Sequence, residues 1–189
     1  MTASSRARSI LWRGTDPFSA ELLAVSERDD GWELLGTAVV ALPEGGVVVR
    51  YSVALDDAWR SRRVDVELSG AREATLRMAA DGNGSWTIDG RPAGGLDGCI
   101  DVDLGVSPAT NTLPIRRLRP DIGETVTTRV AWVRFPELTV EPDDQTYERT
   151  GERTWTFRSD DFRAELEVDE EALVVTYADL WSAVTSVDH

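Results

Sequence analysis

The chain has 189 residues, with one Cys, one His, no Lys and a formal charge of −14. That length suits a single domain, residues 1–189, with a complete core. The charge argues against nucleic acid and anionic membrane surfaces as partners, and the missing Lys rules out Schiff-base and P-loop chemistry. Cys99 alone cannot form a disulfide framework or a cysteine-rich zinc site. The one His is His189, at the C-terminal end, so a Ser-His-Asp triad or an HExxH site has little to draw on.

Taken in chain order, "MTASSRARSILWRGTD" has three arginines but no apolar run of signal-peptide length. No later stretch offers the roughly 20 apolar residues of a transmembrane helix. The expectation is a cytoplasmic protein with flexible ends at residues 1–9 and 183–189. "FSAELLAVSERDD" has helix-forming composition, but Asp30-Gly31 and the following "WELLGTAVVAL" read as a turn and a return strand. We assign it to strand.

Period-2 alternation then dominates. "RRVDVELSG" puts Val64, Val66 and Leu68 on one face, and "EATLRMAAD" does the same with Leu76 and Met78. "TVTTRVAWVRF" aligns Val126, Val130 and Trp132, with Val133 and Phe135 opposite. "DFRAELEVD" aligns Phe162, Ala164, Leu166 and Val168, and "ALVVTYADLW" aligns Leu173, Val175 and Tyr177. Asp-Gly, Asn-Gly and Asp-Asp pairs separate the runs and suit hairpin turns. The expected fold is all-β: roughly a dozen short antiparallel strands in a sandwich or barrel. "YSVALDDAWRSRRVDVEL" and "FRSDDFRAELEVDEEALVVTY" echo each other, as an internal duplication or as two hairpins of one sheet.

Asp81-Gly-Asn-Gly opens like a calcium loop, but its sixth position is Trp86 and its twelfth is Pro92. The required Gly and Glu are missing, so we read a hairpin turn and no metal site. The stretch "GGLDGCIDVDLGVSPATNTLPIRRL", residues 94–118, breaks the alternation. Asp101 and Asp103 share a strand face about 7 Å apart. With Asp97 they are either glycosidase-like carboxylates or solvated and turn-capping acids. Cys99, with no His or Lys near it, reads as a small buried residue.

Asn111, Arg116 and Arg117, followed by Gln145, Tyr147 and Arg149, form a dense polar set. Such groups either satisfy one another in a structural network or recognise a polar head group. Trp86 and Trp132 are two of seven Trp, and each serves either the core or a cavity lining.

"WTIDGRPAGGLDGCIDVDLGVSPATNTLPIRRL", "AWVRFPELTV", "QTYERT" and "FRAELEVDEEALVVTYADLW" resemble a bacterial glycolipid-binding family, once a domain of unknown function. The resemblance runs from Trp12 to Trp181. It implies an antiparallel β-barrel or half-barrel like the lipoprotein carriers of the bacterial envelope, with no catalytic residues and no cofactor. It also implies binding of an amphipathic ligand, a glycolipid or other lipid, in a barrel cavity. Apolar tails would then lie against inward Trp, Val and Leu. The head group would meet Asn111, Arg116, Arg117, Tyr147 or Arg149, with Trp86 and Trp132 beside it. A carboxylate-dependent hydrolase and a structural or protein-interaction domain are the alternatives. The ligand's identity and the oligomeric state stay open.

Overall fold

A computed structural model describes residues 7–188. Its strands form one continuous sheet. The first half is a meander: β1 (Ala7–Thr15), β2 (Phe18–Arg28), β3 (Gly31–Leu42), β4 (Gly45–Leu55), β5 (Ser61–Gly70), β6 (Ala74–Ala80), β7 (Trp86–Ile88) and β8 (Arg91–Pro92). The second half holds β9 (Asp101–Leu104), β10 (Thr125–Val133), β11 (Val140–Arg149), β12 (Thr154–Ser159), β13 (Phe162–Val168), β14 (Val174–Tyr177) and β15 (Trp181–Asp188). The sheet order is 8-7-6-5-4-3-2-1-15-14-13-12-11-10-9, so β1 and β15 form the seam between the halves. The all-β expectation holds, and "FSAELLAVSERDD" is strand β2.

Alternation explains the burial. Val64, Val66 and Leu68 on β5, and Leu76 and Met78 on β6, all point into the core. One apolar cluster runs along the inner face of the first half and takes in Leu104, Leu113, Ala131 and Val133 from the second. A second, including Tyr147, Trp155, Phe157 and Leu166, lies on the second half. Two-residue turns such as Asp29-Asp30 and Asp89-Gly90 join neighbours, the latter with positive φ at both positions, which suits a tight hairpin. The two echoing segments are hairpins of the same sheet with different turns. Asp56-Asp57 opens a five-residue connection, whereas Asp160-Asp161 is a direct two-residue turn.

Of the barrel and half-barrel expected, the sheet is the open one: β8 and β9 are its edges. The edges are drawn together by scattered bonds instead of a ladder. Gly98 N–H donates to the Gly84 carbonyl at 2.9 Å, and Val102 N–H on the β9 edge donates to Ser61 Oγ at 3.0 Å. This occupies an edge donor that would otherwise invite pairing with another chain. Two other expectations need correction. The sheet is not wholly antiparallel, because β9 runs parallel to β10. A parallel pair cannot be joined by a hairpin. The connection from 105 to 124 is therefore a crossover, and it carries the helix α1 (Thr112–Leu118). Finally, the ends are paired where flexibility was expected: Arg8 lies opposite Asp188 and Ser9 opposite Val187. Residues 1–6 and His189 lie outside the described residues.

The crossover is tied to the first half by a buried polar cluster. Tyr51 on β4 lies opposite Gly36 on β3, and its ring covers that glycine so closely that a Cβ there would clash. The ring thereby reaches β2, where the Tyr51 hydroxyl donates to Glu21. Ser107 of the crossover donates to the same Glu21 oxygen at 2.7 Å. Glu21 is fully buried, and its second oxygen has no hydrogen-bond partner. Burial pushes its carboxyl up from 4.5 to about 7, against the pull of the two hydroxyls.

This has a consequence for stability. The folded state favours neutral Glu21 over a range in which the unfolded chain ionises it. The stabilising proton is fully retained below pH 4.5 and lost as pH rises through about 7. The shift corresponds to roughly 3 kcal/mol. Glu21→Gln, which mimics the neutral acid, should gain most of that relative to wild type between pH 5 and pH 8.5. Urea unfolding of both proteins at the two pH values checks it; a difference that does not change with pH refutes it.

Candidate functional site

The crossover builds the site. Residues 109–111 make one 3-10 turn, and α1 follows with Pro114 in its first turn, where a missing N–H costs nothing. Arg116 and Arg117 fall in its last turn, favourably placed at the negative end of the helix dipole. Leu113 enters the first core cluster and Ile115 the second, so this short helix bridges them.

Beneath the helix, Asp101 on β9 is fully buried and holds Arg117, with Nη2 donating to Oδ2 at 2.5 Å and Nε to Oδ1 at 3.3 Å. Arg117 also donates to Thr128 Oγ1 on β10 at 3.0 Å. Burial pushes the Asp101 carboxyl up while Arg117 pulls it back.

Beside this pair a cleft of about 440 Å³ opens between the crossover and strands β9 to β15. One wall is polar. Asp103 accepts from Thr110 Oγ1 at 2.9 Å and from Gln145 Nε2 at 2.7 Å. The same Gln145 nitrogen reaches Asp143 at 3.0 Å, and Asp143 also accepts from Ser159 Oγ at 2.8 Å. Behind them the Tyr147 hydroxyl lies 3.0 Å from Asn111 Oδ1 and 3.1 Å from Gln145 Oε1. Asn111 Nδ2 donates to the Pro108 carbonyl. Burial pushes the Asp103 carboxyl up, and bonds from Gln145 and Thr110 partly restore it.

The other wall is aromatic. Phe157, Phe162 and Tyr177 meet edge to face with centroids 6.1–6.3 Å apart, and Trp132 and Trp181 complete the lining. Asp160 and Asp161 stand at the mouth, and among the described residues no Arg lines the cleft.

A family profile described as "Putative glycolipid-binding" matches residues 9–183. The chain belongs to this family. A crystal structure of a DUF1089-family protein from Pseudomonas aeruginosa is similar to it, with a TM-score of 0.78 and 30% identity over 87% of this chain and 91% of that one. No curated protein matches.

Within this member of the glycolipid-binding family, the structure divides the residues singled out from sequence. Asn111 and Trp132 line the cleft, with Tyr147 buried directly behind Asn111. Arg117 is turned away onto Asp101. Arg116 stacks on Trp59 at 4.0 Å and on Trp32 at 5.2 Å. Arg149 binds the carbonyls of Pro120, Gly151 and Glu152 and lies over Trp155. These arginines do not reach the cleft, so they do not form one head-group site with Asn111.

Trp86 is a core residue whose indole N–H donates to the Cys99 carbonyl at 2.7 Å. Cys99 is buried, as expected. Of the three acids, Asp97 is exposed, Asp101 is locked to Arg117, and Asp103 alone faces the cleft. Asp81 bonds the amides of Asn83 and Ser85, the geometry of a turn. The inward Val and Leu of the first half are packed against one another in the first apolar cluster and do not line the cleft.

Sequence reasoning missed Asp143, Phe157, Phe162, Tyr177 and Trp181. The signal for two of them was present: Phe162 and Tyr177 are large aromatics that the alternation aligns with apolar residues on one strand face.

The buried pair gives a direct test. Arg117→Met should strand the Asp101 carboxylate and cost roughly 3–5 kcal/mol. Adding Asp101→Asn should recover most of that. Denaturant unfolding at neutral pH of the single and double variants measures both; an additive second loss overturns the assignment.

Proposed function

We propose that this protein binds the sugar portion of a glycolipid in the cleft, without chemical turnover. The carrying observation is an aromatic wall facing an acceptor-rich polar wall with no cation among the described residues. Gln145 and Asn111 direct their amide N–H groups at Asp103, Asp143 and Pro108. What the polar wall offers a ligand is therefore mainly carboxylate lone pairs. A ligand that fits must bring donors, and sugar hydroxyls do. A phosphate or carboxylate head brings acceptors and negative charge to Asp103, Asp143, Asp160 and Asp161. The aromatic faces suit the C–H surfaces of a sugar ring or the first methylenes of its aglycone. The cleft is of small-ligand size, so long acyl tails stay outside it.

A hydrolase reading would use Asp103, whose carboxyl burial pushes up, with Asp143 as its partner. Against it, the Gln145 amide sits between the two carboxylates and bonds both. The reacting oxygen of a substrate would need that same position.

Calorimetric titration with an uncharged alkyl glycoside and with an alkyl phosphate of equal chain length tests the proposal. The glycoside should bind and the phosphate should not. Trp132→Ala should weaken the glycoside by about tenfold, the size of one lost aromatic contact. Equal binding of both ligands, or release of the alcohol from a nitrophenyl glycoside, would overturn it.

A further inference from the structure

The outward face of the seam carries a pattern that the cleft does not use. Eight large apolar side chains are exposed among the described residues, and six lie on adjacent strands. These are Phe18 and Leu22 on β2, Leu35 and Val39 on β3, and Val184 and Val187 on β15, each between 43% and 66% exposed. The register makes the β2 and β3 residues neighbours: Ala20 faces Val39, Leu22 faces Thr37, and Ala24 faces Leu35. Leu11 on β1 joins them through its pairing with Leu22 and Thr185.

Charge is distributed just as unevenly. The chain has 34 acidic residues. Among the outward positions of β1 to β4 only Glu33 is acidic, and it is paired with Arg28 at the end of the hairpin. Arg13 and Arg50 are the remaining charges within the stripe. The character changes beyond β4 on one side and beyond β14 on the other. The outward face of β5 and β6 carries Arg63, Asp65, Glu67 and Arg77, and that of β12 and β13 carries Arg158, Arg163, Glu165 and Glu167. An apolar centre with a charged rim is the anatomy of a protein interface. Strands apolar on both faces are the pattern of a sheet covered on both sides.

We propose that this face, β15-β1-β2-β3-β4, packs against the same face of a second copy of the chain. Five strands at about 4.8 Å spacing, each with about eight residues at 3.3 Å, give a patch on the order of 600–1,000 Å². That is the range of the roughly 800 Å² per partner that stable association requires. A two-fold axis through the patch buries it against itself. Sheets stacked in this way run within about 30° of each other, which brings rim over rim. The rims hold both signs, so they can pair. Two copies that met elsewhere would bring acidic surfaces together. A bilayer rich in anionic lipid is disfavoured by the charge of −14.

Sedimentation velocity of the full chain from about 1 to 100 µM, at physiological salt, tests this. Wild type should sediment at twice the chain mass at the upper end. Thr37→Arg alters an exposed polar position at the patch centre without touching the core, and should raise the dimer dissociation constant at least about tenfold. Val39→Glu should abolish the dimer, with an unchanged far-ultraviolet spectrum to show that the monomer folds. Ile122→Glu, exposed but away from the patch, should leave the dimer intact. A wild-type monomer throughout the range, or dimers unaffected by Thr37→Arg, would overturn the proposal. So would a monomer that instead co-sediments with phosphatidylcholine vesicles, which would assign the face to lipid.

Discussion

The parallel pairing of β9 with β10 is the constraint on which the site depends. It compels the chain to leave the sheet after Leu104 and return at Thr125. The returning segment crosses the core-facing side of the sheet, and something must hold it there. Asp101 does so from below by holding Arg117, while Glu21 and Tyr51 do so from the first half of the sheet by holding Ser107. A buried ion pair is a poor source of net stability beside an apolar pair of equal shape. It is directional, however, and can fix where a seven-residue helix sits when so short a helix has little stability of its own. The cleft is the space left between that fixed crossover and the strands.

Division of labour among the charged groups follows from the same geometry. The arginines that look like head-group ligands in the sequence are each claimed by a local partner: a carboxylate for Arg117, indole rings for Arg116, three carbonyls for Arg149. Guanidinium suits all three roles because it is planar, broad in its donors and weakly hydrated. What remains facing the cleft is a set of acids and amides whose donors are directed at one another. The electrostatic character of the site is thus the inverse of what the Arg-rich segment suggests.

Much of the fold was legible because alternation is a local property. β5, β6 and β13 follow directly from the spacing of their apolar residues, and β2 follows from the Asp-Gly turn and return strand behind it. Strand direction is not local: nothing in "CIDVDL" says whether its partner runs with it or against it. α1 was read as irregular because seven residues are too few for a periodic signal, although Pro114 followed by Arg116 and Arg117 has the order of a helix start and end. Asn111, Trp132 and Tyr147 could be picked out as polar or aromatic residues of unusual density. Their companions Asp143, Phe157 and Trp181 could not, because the cleft gathers side chains from seven strands and only the sheet order makes them neighbours.

The seam between the halves has a kinetic meaning. Most strand pairs here join neighbours in sequence, through connections that close at small entropic cost. The β1–β15 ladder is different: the Arg8 guanidinium meets Ser186 across 178 residues. Each half can therefore assemble from contacts local to it, whereas the seam must wait for an encounter between the far ends of the chain. Until it closes, β1 and β15 both present unpaired edges beside the most apolar outer strands of the molecule. In this topology the slowest contact to form is also the one whose delay most exposes the chain to mispairing.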